Sequence, residues 1–364
     1  MRLVYCIPSL NKPGGMERVL TTKVNYLSEK LGYEIHIVTE EGDKTNYFPL
    51  SASVICHHLS FRNKKEYRKI LTQLLYDLKP HITISLFGSE FTFLYKIKDG
   101  SKKIVEFHFT KYYLTHLVKG IANLRFRQLH LLKAWWMQKR EAFYAAKYDK
   151  VVLLTRQDLN LWGNKSNMCY IYNPLSFYSD ASADLNVRCI VAAGRLMAQK
   201  GFDLLIDAFA KIAKTHLDWR LLIFGDGSDH QFLLNHIKNK GLEQQIQLCP
   251  ATYDIRKVFL GSSIFAFSSR YEGFGLVLTE AMECGLPCVS FDCECGPREI
   301  IENGRTGYLV KSGDVNDFAL KLGMLMDDPP LRKKMGSNGK LAVQRFYLDK
   351  IMSQWDRLFT QILI

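Results

Sequence analysis

Short apolar runs alternate with longer amphipathic stretches along most of the chain. Leu3 to Ile7 is apolar at consecutive positions and predicts a buried strand. Asn11-Lys12-Pro13-Gly14-Gly15 follows as a loop. From Met16 to Lys30 the apolar residues Val19, Leu20, Val24 and Leu27 recur at helical spacing, and Glu34 to Thr39 reads as the next strand. Strand, glycine loop, helix and strand make one βαβ unit. The pattern returns with a helix over Lys65 to Leu78 and strands at His81 to Leu86, Lys103 to Phe107 and Val151 to Thr155.

It breaks at Asn173-Pro174-Leu175 and the polar run from Ser179 to Asp184, which predicts a domain boundary. A second series follows. Strands are expected at Cys189 to Ala193, Arg220 to Phe224, Ile246 to Leu248, Ile264 to Phe267 and Pro287 to Phe291. Helices are expected at Gly201 to Thr215, Ser228 to Lys240 and Leu276 to Cys284. Strands alternating with helices argue for parallel sheets covered on both faces. The predicted class is α/β, with two Rossmann-like doubly wound domains facing a cleft. Ligands of such sheets bind at the carboxyl ends of the strands.

The length of 364 residues suits two domains, and the 47% hydrophobic content allows each a core. A formal net charge of +13 favours an anionic partner: nucleic acid, an acidic membrane surface or a phosphorylated substrate. The excess is clustered between Lys111 and Lys150, where nine cations face only Glu141 and Asp149. Tyr112, Tyr113, Ile121, Phe126, Trp135, Trp136 and Phe143 are interleaved with them. Such a stretch suits an anionic membrane; the alternative is an amphipathic helix whose apolar stripe packs on the sheet. Nothing resembles a nucleic-acid-binding motif. The nine cysteines lack zinc spacing, and Cys284, Cys288, Cys293 and Cys295 read as reduced core thiols. No signal peptide or membrane span is evident, so a cytoplasmic location is expected.

Three constellations carry chemistry. Pro13-Gly14-Gly15-Met16 lets the backbone approach a ligand just before a helix start, which suits phosphate. It is neither G-x-G-x-x-G nor a Walker loop. Gly194-Arg195-Leu196-Met197-Ala198-Gln199-Lys200-Gly201 places two cations after a strand, where a diphosphate could sit. Glu272-Gly273-Phe274-Gly275-Leu276-Val277-Leu278-Thr279-Glu280-Ala281-Met282 sets two carboxylates eight positions apart around a helix start. The helix end can take a phosphate, Glu272 a sugar hydroxyl and Glu280 a ribose diol. No D-x-D pair stands where it could hold a metal.

In this order and spacing the three elements resemble the family 4 retaining glycosyltransferases of the two-domain GT-B fold. The resemblance implies an acceptor-binding domain over 1–180 and a nucleotide-sugar domain over 181–345. Residues 346–364 would form a C-terminal helix returning to the first domain. It implies catalysis by Arg195, Lys200, Glu272 and His108, the last in Val105-Glu106-Phe107-His108. It implies donor binding by Gly14, Gly15, Gly225, Tyr253, Phe274, Gly275, Leu276, Val277 and Glu280. The donor would be a UDP- or GDP-sugar, with no metal or other cofactor and with retention at the anomeric carbon. The acceptor would be a glycan or lipid-linked glycan, in cell-surface polysaccharide or lipopolysaccharide synthesis. A GT-B-fold nucleotide-sugar epimerase and a sugar-nucleotide-binding non-enzyme are the alternatives. Relatives often carry Gly-Gly before the glutamate matching Glu299; here Pro297-Arg298 stands instead, and Arg298 has no implied role.

Overall fold

The computed structural model describes residues 1–40, 45–120 and 125–364. Ile121 of the basic stretch lies outside them. The chain divides into two compact units, one formed by Met1–Lys111, Lys133–Ser176 and Tyr347–Ile364, the other by Tyr112–Leu132 and Phe177–Phe346.

The first unit holds a seven-stranded sheet. Its strands are β1 (Arg2–Ile7), β2 (Glu34–Thr39), β3 (Val54–His58), β4 (Ile82–Ser85), β5 (Lys102–Glu106), β6 (Lys150–Leu153) and β7 (Met168–Tyr170). Their order is β3-β2-β1-β4-β5-β6-β7, and the pairs are parallel. Alternation along β1 sends Leu3, Tyr5 and Ile7 to one core, and Val4 and Cys6 to another on the opposite face. A strand buried on both faces must be apolar at every position, which is why β1 reads as an unbroken apolar run. The helix Leu348–Leu363 supplies Trp355 and Phe359, both at most 1% exposed, to the first of these cores. Truncating a core ring of that size costs about 3–5 kcal/mol.

The second unit holds a six-stranded parallel sheet in the order β10-β9-β8-β11-β12-β13. Its strands are β8 (Cys189–Ala193), β9 (Arg220–Phe224), β10 (Ile246–Cys249), β11 (Ile264–Phe267), β12 (Cys288–Asp292) and β13 (Gly307–Lys311). Each unit is a Rossmann-like domain. The strand order reverses between β1 and β4 in one sheet and between β8 and β11 in the other. Ligands of doubly wound sheets bind at such switch points.

Three strands escape the sequence reading. β3 is half-buried and ends in His57-His58, β7 has only three residues, and β13 is short and begins with Gly307. All three stand at a sheet end, where no long apolar run is required. Residues 112–120 and 125–132 depart from the expected 1–180 domain, because their contacts are with the second unit. The cause is visible at His116 on the helix Tyr113–Gly120. Its ring stacks on Tyr271 at 4.7 Å, and its Nε2 lies 3.1 Å from Glu294 Oε1.

The basic stretch also differs from an ordinary packed helix. In the helix Arg127–Ala145 only Ala134, Gln138 and Ala145 are buried. Leu129, Trp136 and Phe143 are each more than half exposed.

Candidate functional site

The switch point of the second unit gathers two of the three sequence constellations. The loop after β8 carries Arg195 and Lys200, and the loop after β11 carries Glu272 and leads into the helix Leu276–Glu283. Lys200 Nζ lies 2.6 Å from Glu272 Oε1, with the lysine side chain 18% and the glutamate side chain 9% exposed. Arg195 stays exposed on its loop. Glu280, on the helix, is 1% exposed among Leu278, Ala281 and Met282.

The two loops are strapped together by residues that carry no motif. Arg270 N donates to Gln199 O at 2.8 Å, and Gln199 Nε2 donates to Tyr271 O at 3.0 Å. Ser268 Oγ donates to Lys200 O at 2.8 Å. The Arg270 guanidinium forks onto Asp203 at 2.9 and 2.6 Å and also donates to Ala198 O. Two-pronged charged bonds fix geometry as well as contributing energy. Arg270 and Asp203 thus set where Lys200 and Glu272 meet. Sequence reasoning missed both, and the only signal was a pair of opposite charges each within three residues of a motif residue.

A third loop joins them. Gly225, after β9, has φ +152°, and a Cβ there would lie 1.9 Å from Gly194 O, so any side chain would push the loops apart. Asp226 Oδ2 accepts from Ala251 N at 3.2 Å, which ties in the segment after β10. Tyr253 on that segment is 89% exposed. Burial, and then the charge of Glu272, pushes the Tyr271 phenol up to about 12.

The other expected residues lie in the first unit. Gly14 caps the helix Gly15–Leu31. Glu17 sits in that helix's first turn, 8% exposed, and a Cβ on Gly14 would lie 1.9 Å from its Oε2. A carboxylate there already meets the positive helix end. His108 follows β5, with its side chain 5% exposed and Nε2 3.4 Å from Glu106 Oε1. Arg298, which had no implied role, pairs with Asp292.

Among the described residues no group of His, Cys, Asp and Glu could hold a metal ion. All nine cysteines are free thiols, and Cys284, Cys288, Cys293 and Cys295 are buried. Among the described residues no helix is long and apolar enough to cross a membrane.

Two Rossmann-like domains, the second with charged loops gathered at its switch point, make up the architecture. Residues 180–342 match the family described as glycosyl transferases group 1. An uncharacterized glycosyltransferase of Haemophilus influenzae is 27% identical, covering 97% of this chain and 98% of its own. The amylovoran biosynthesis glycosyltransferase AmsD of Erwinia amylovora is 31% identical, covering 60% of this chain and 64% of its own. Among solved structures, Staphylococcus aureus TarM, in complex with fondaparinux, alpha-GlcNAc-glycerol and UDP, superposes with a TM-score of 0.79. It is 16% identical and covers 98% of this chain and 99% of its own.

Proposed function

We propose that this chain is a retaining, metal-independent hexosyltransferase of family 4. It transfers a hexose or N-acetylhexosamine from a UDP- or GDP-sugar to a hydroxyl of a glycan or lipid-linked acceptor, in cell-surface polysaccharide or lipopolysaccharide synthesis. The observation that carries the reading is the Lys200–Glu272 pair at the switch point, beside exposed Arg195 and the start of the helix Leu276–Glu283. Support for the substrate classes comes from AmsD, named for amylovoran biosynthesis, and from TarM, whose complex contains UDP.

The roles follow from charge. As the bond from the anomeric carbon to the diphosphate breaks, the sugar becomes oxocarbenium-like and the diphosphate gains negative charge. Preorganised cations and helix N–H groups aimed at that charge are the usual large contribution to rate. Arg195 and Lys200 neutralise the leaving diphosphate, and the backbone at Phe274, Gly275, Leu276 and Val277 completes its cradle. Glu272 holds hydroxyls of the transferred sugar and Glu280 the ribose. Gly225 and Tyr253 border the base. Gly14, Gly15 and His108, in the first unit, are assigned contacts to substrate.

Calorimetric titration in EDTA buffer tests this. The parent protein binds UDP- or GDP-sugar without added metal. Glu280→Gln weakens free nucleotide and sugar nucleotide alike, whereas Glu272→Gln weakens the sugar nucleotide and leaves free UDP or GDP nearly unchanged. A requirement for Mg²⁺ or Mn²⁺ would sink metal independence, and equal losses for both ligands in both variants would contradict the assigned roles.

The helix Arg127–Ala145 is proposed to meet an anionic membrane surface. Trp135 and Trp136 pack edge to face at 5.1 Å, and Lys139 Nζ lies 5.4 Å from the Trp135 ring. Exposed rings carrying cations suit the headgroup region. Each cation near such a surface contributes about 1 kcal/mol, screened by salt. Co-sedimentation is expected with anionic vesicles at low salt and weak with neutral ones. Replacing Lys133, Lys139 and Arg140 by Glu reduces it while nucleotide affinity is kept. Equal binding to both vesicle types, or none at low salt, would refute a membrane role.

A further inference from the structure

A buried charged chain runs behind His108, and the transfer reaction as proposed does not use it. Lys23, on the helix Gly15–Leu31, is 1% exposed. Its Nζ lies 2.9 and 2.7 Å from the two carboxylate oxygens of Glu106, itself 1% exposed at the end of β5. The same Nζ sits 3.6 Å from the Trp355 ring and 5.8 Å from the Tyr5 ring. Two ions this deep are costly unless every lone pair and proton is met. Here the ammonium has a two-oxygen partner and aromatic faces that favour a cation. Burial alone would raise the Glu106 carboxyl; the charge of Lys23 foremost reverses this, and the carboxyl is held at about 2. Glu106 is therefore an anion throughout the neutral range.

Glu106 also faces His108, two residues on. His108 Nε2 is fully enclosed, and among the described residues it has no partner at ordinary hydrogen-bond distance. Glu106 Oε1, at 3.4 Å, is the carboxylate beside it. A neutral imidazole next to a carboxylate places its proton on the nitrogen that faces the carboxylate. Nδ1 is then a hydrogen-bond acceptor, suited to a sugar hydroxyl.

We propose that Glu106 is a positioning residue that, anchored by Lys23, holds His108 in the Nε2–H tautomer and so presents Nδ1 as an acceptor to substrate. The pair has a second consequence. Lys23 lies on the helix that begins at Gly15, and Glu106 lies on the strand that leads to His108. Their bond sets the glycine loop and the histidine in one register. The inference rests on the reading of His108 as an active-site group.

Single removal of either charge strands the other, so the test removes both with volume kept: Lys23→Met together with Glu106→Leu. Replacing a buried ion pair by apolar residues of similar volume is often neutral or stabilising. Two-bond ¹H–¹⁵N spectra of the His108 ring, assigned by comparison with His108→Ala, report its tautomer. The expected result is a dominant Nε2–H form in the parent protein and loss of that dominance in the double variant. With it kcat falls by about tenfold to a hundredfold, the scale seen when the group orienting a functional histidine is lost at metal sites, while donor KM changes little. Lys23→Met with Glu106→Gln returns an acceptor oxygen and restores the tautomer and part of kcat. In a His108→Ala background the Leu and Gln versions become equivalent. An unchanged tautomer in a folded Lys23→Met/Glu106→Leu protein would overturn the proposal. Absence of glycosyl transfer by the parent protein with any donor would instead count against the transferase reading, and the ring spectra would still decide the role of Glu106.

Discussion

Turnover is expected to fall by about a hundredfold or more in both Arg195→Ala and Lys200→Ala, with only the second variant also losing stability. The rate effect is that of removing one charge-stabilising group from the breaking bond. Stability separates the two because their surroundings differ. Arg195 is exposed, so truncating it leaves no buried charge behind. Lys200 is mostly buried against Glu272 at 2.6 Å, and the carboxylate would remain 9% exposed without its cation. Breaking a buried pair from one side costs about 3–5 kcal/mol, and the partial exposure of Lys200 puts this case at the low end. For a unit of this size about 3 kcal/mol lowers the melting temperature by roughly 6–12 °C. Steady-state kinetics and thermal unfolding check the two parts. Near-normal turnover in both variants would remove these residues from the reaction.

Gly296→Ala is expected to be the most damaging single-methyl change in the second unit. Gly296 has φ +111°, and a Cβ there would lie 1.8 Å from Phe274 O, a backbone atom that cannot swing aside. Cys295 before it is also held at positive φ, +62°, so the turn has little freedom to absorb the methyl. Strain and displacement together cost about 3 kcal/mol or more. Because the clash falls on the loop leading into the helix Leu276–Glu283, nucleotide affinity is lost with stability. Gly313→Ala is the control. Its φ is +82° but a Cβ meets nothing within 4 Å, so only backbone strain of about 1 kcal/mol remains. Unfolding curves showing equal losses for the two variants would refute the steric account.

The comparison of Lys200 with Arg270 shows how far reading residues along the chain reaches. Lys200 and Glu272 stand out because their types and spacing carry chemistry wherever the chain folds as strand, loop and helix. Arg270 and Asp203 do not, because their meaning lies in a contact that exists only once the loops after β8 and β11 are neighbours. The same holds for Lys23, one of two lysines on an amphipathic helix. Only parallel packing of that helix against the sheet encloses it with Glu106 and Trp355.

The alternation of apolar runs and helical spacing determined two α/β series and their parallel strands, since a strand covered on both faces must be apolar throughout. Glycine placement after β1, β8 and β11 marked where the backbone is expected to approach a ligand. Sheet order was not written there: reversal between β1 and β4, and between β8 and β11, arises from which strands pair. Local periodicity is blind to that pairing. Burial of long polar side chains likewise depends on distant neighbours. The exposed rings of the helix Arg127–Ala145 make the same point from the outside. Its composition allows a packed stripe or a bare one, and tertiary contact alone left Trp136 62% exposed while burying Ala134.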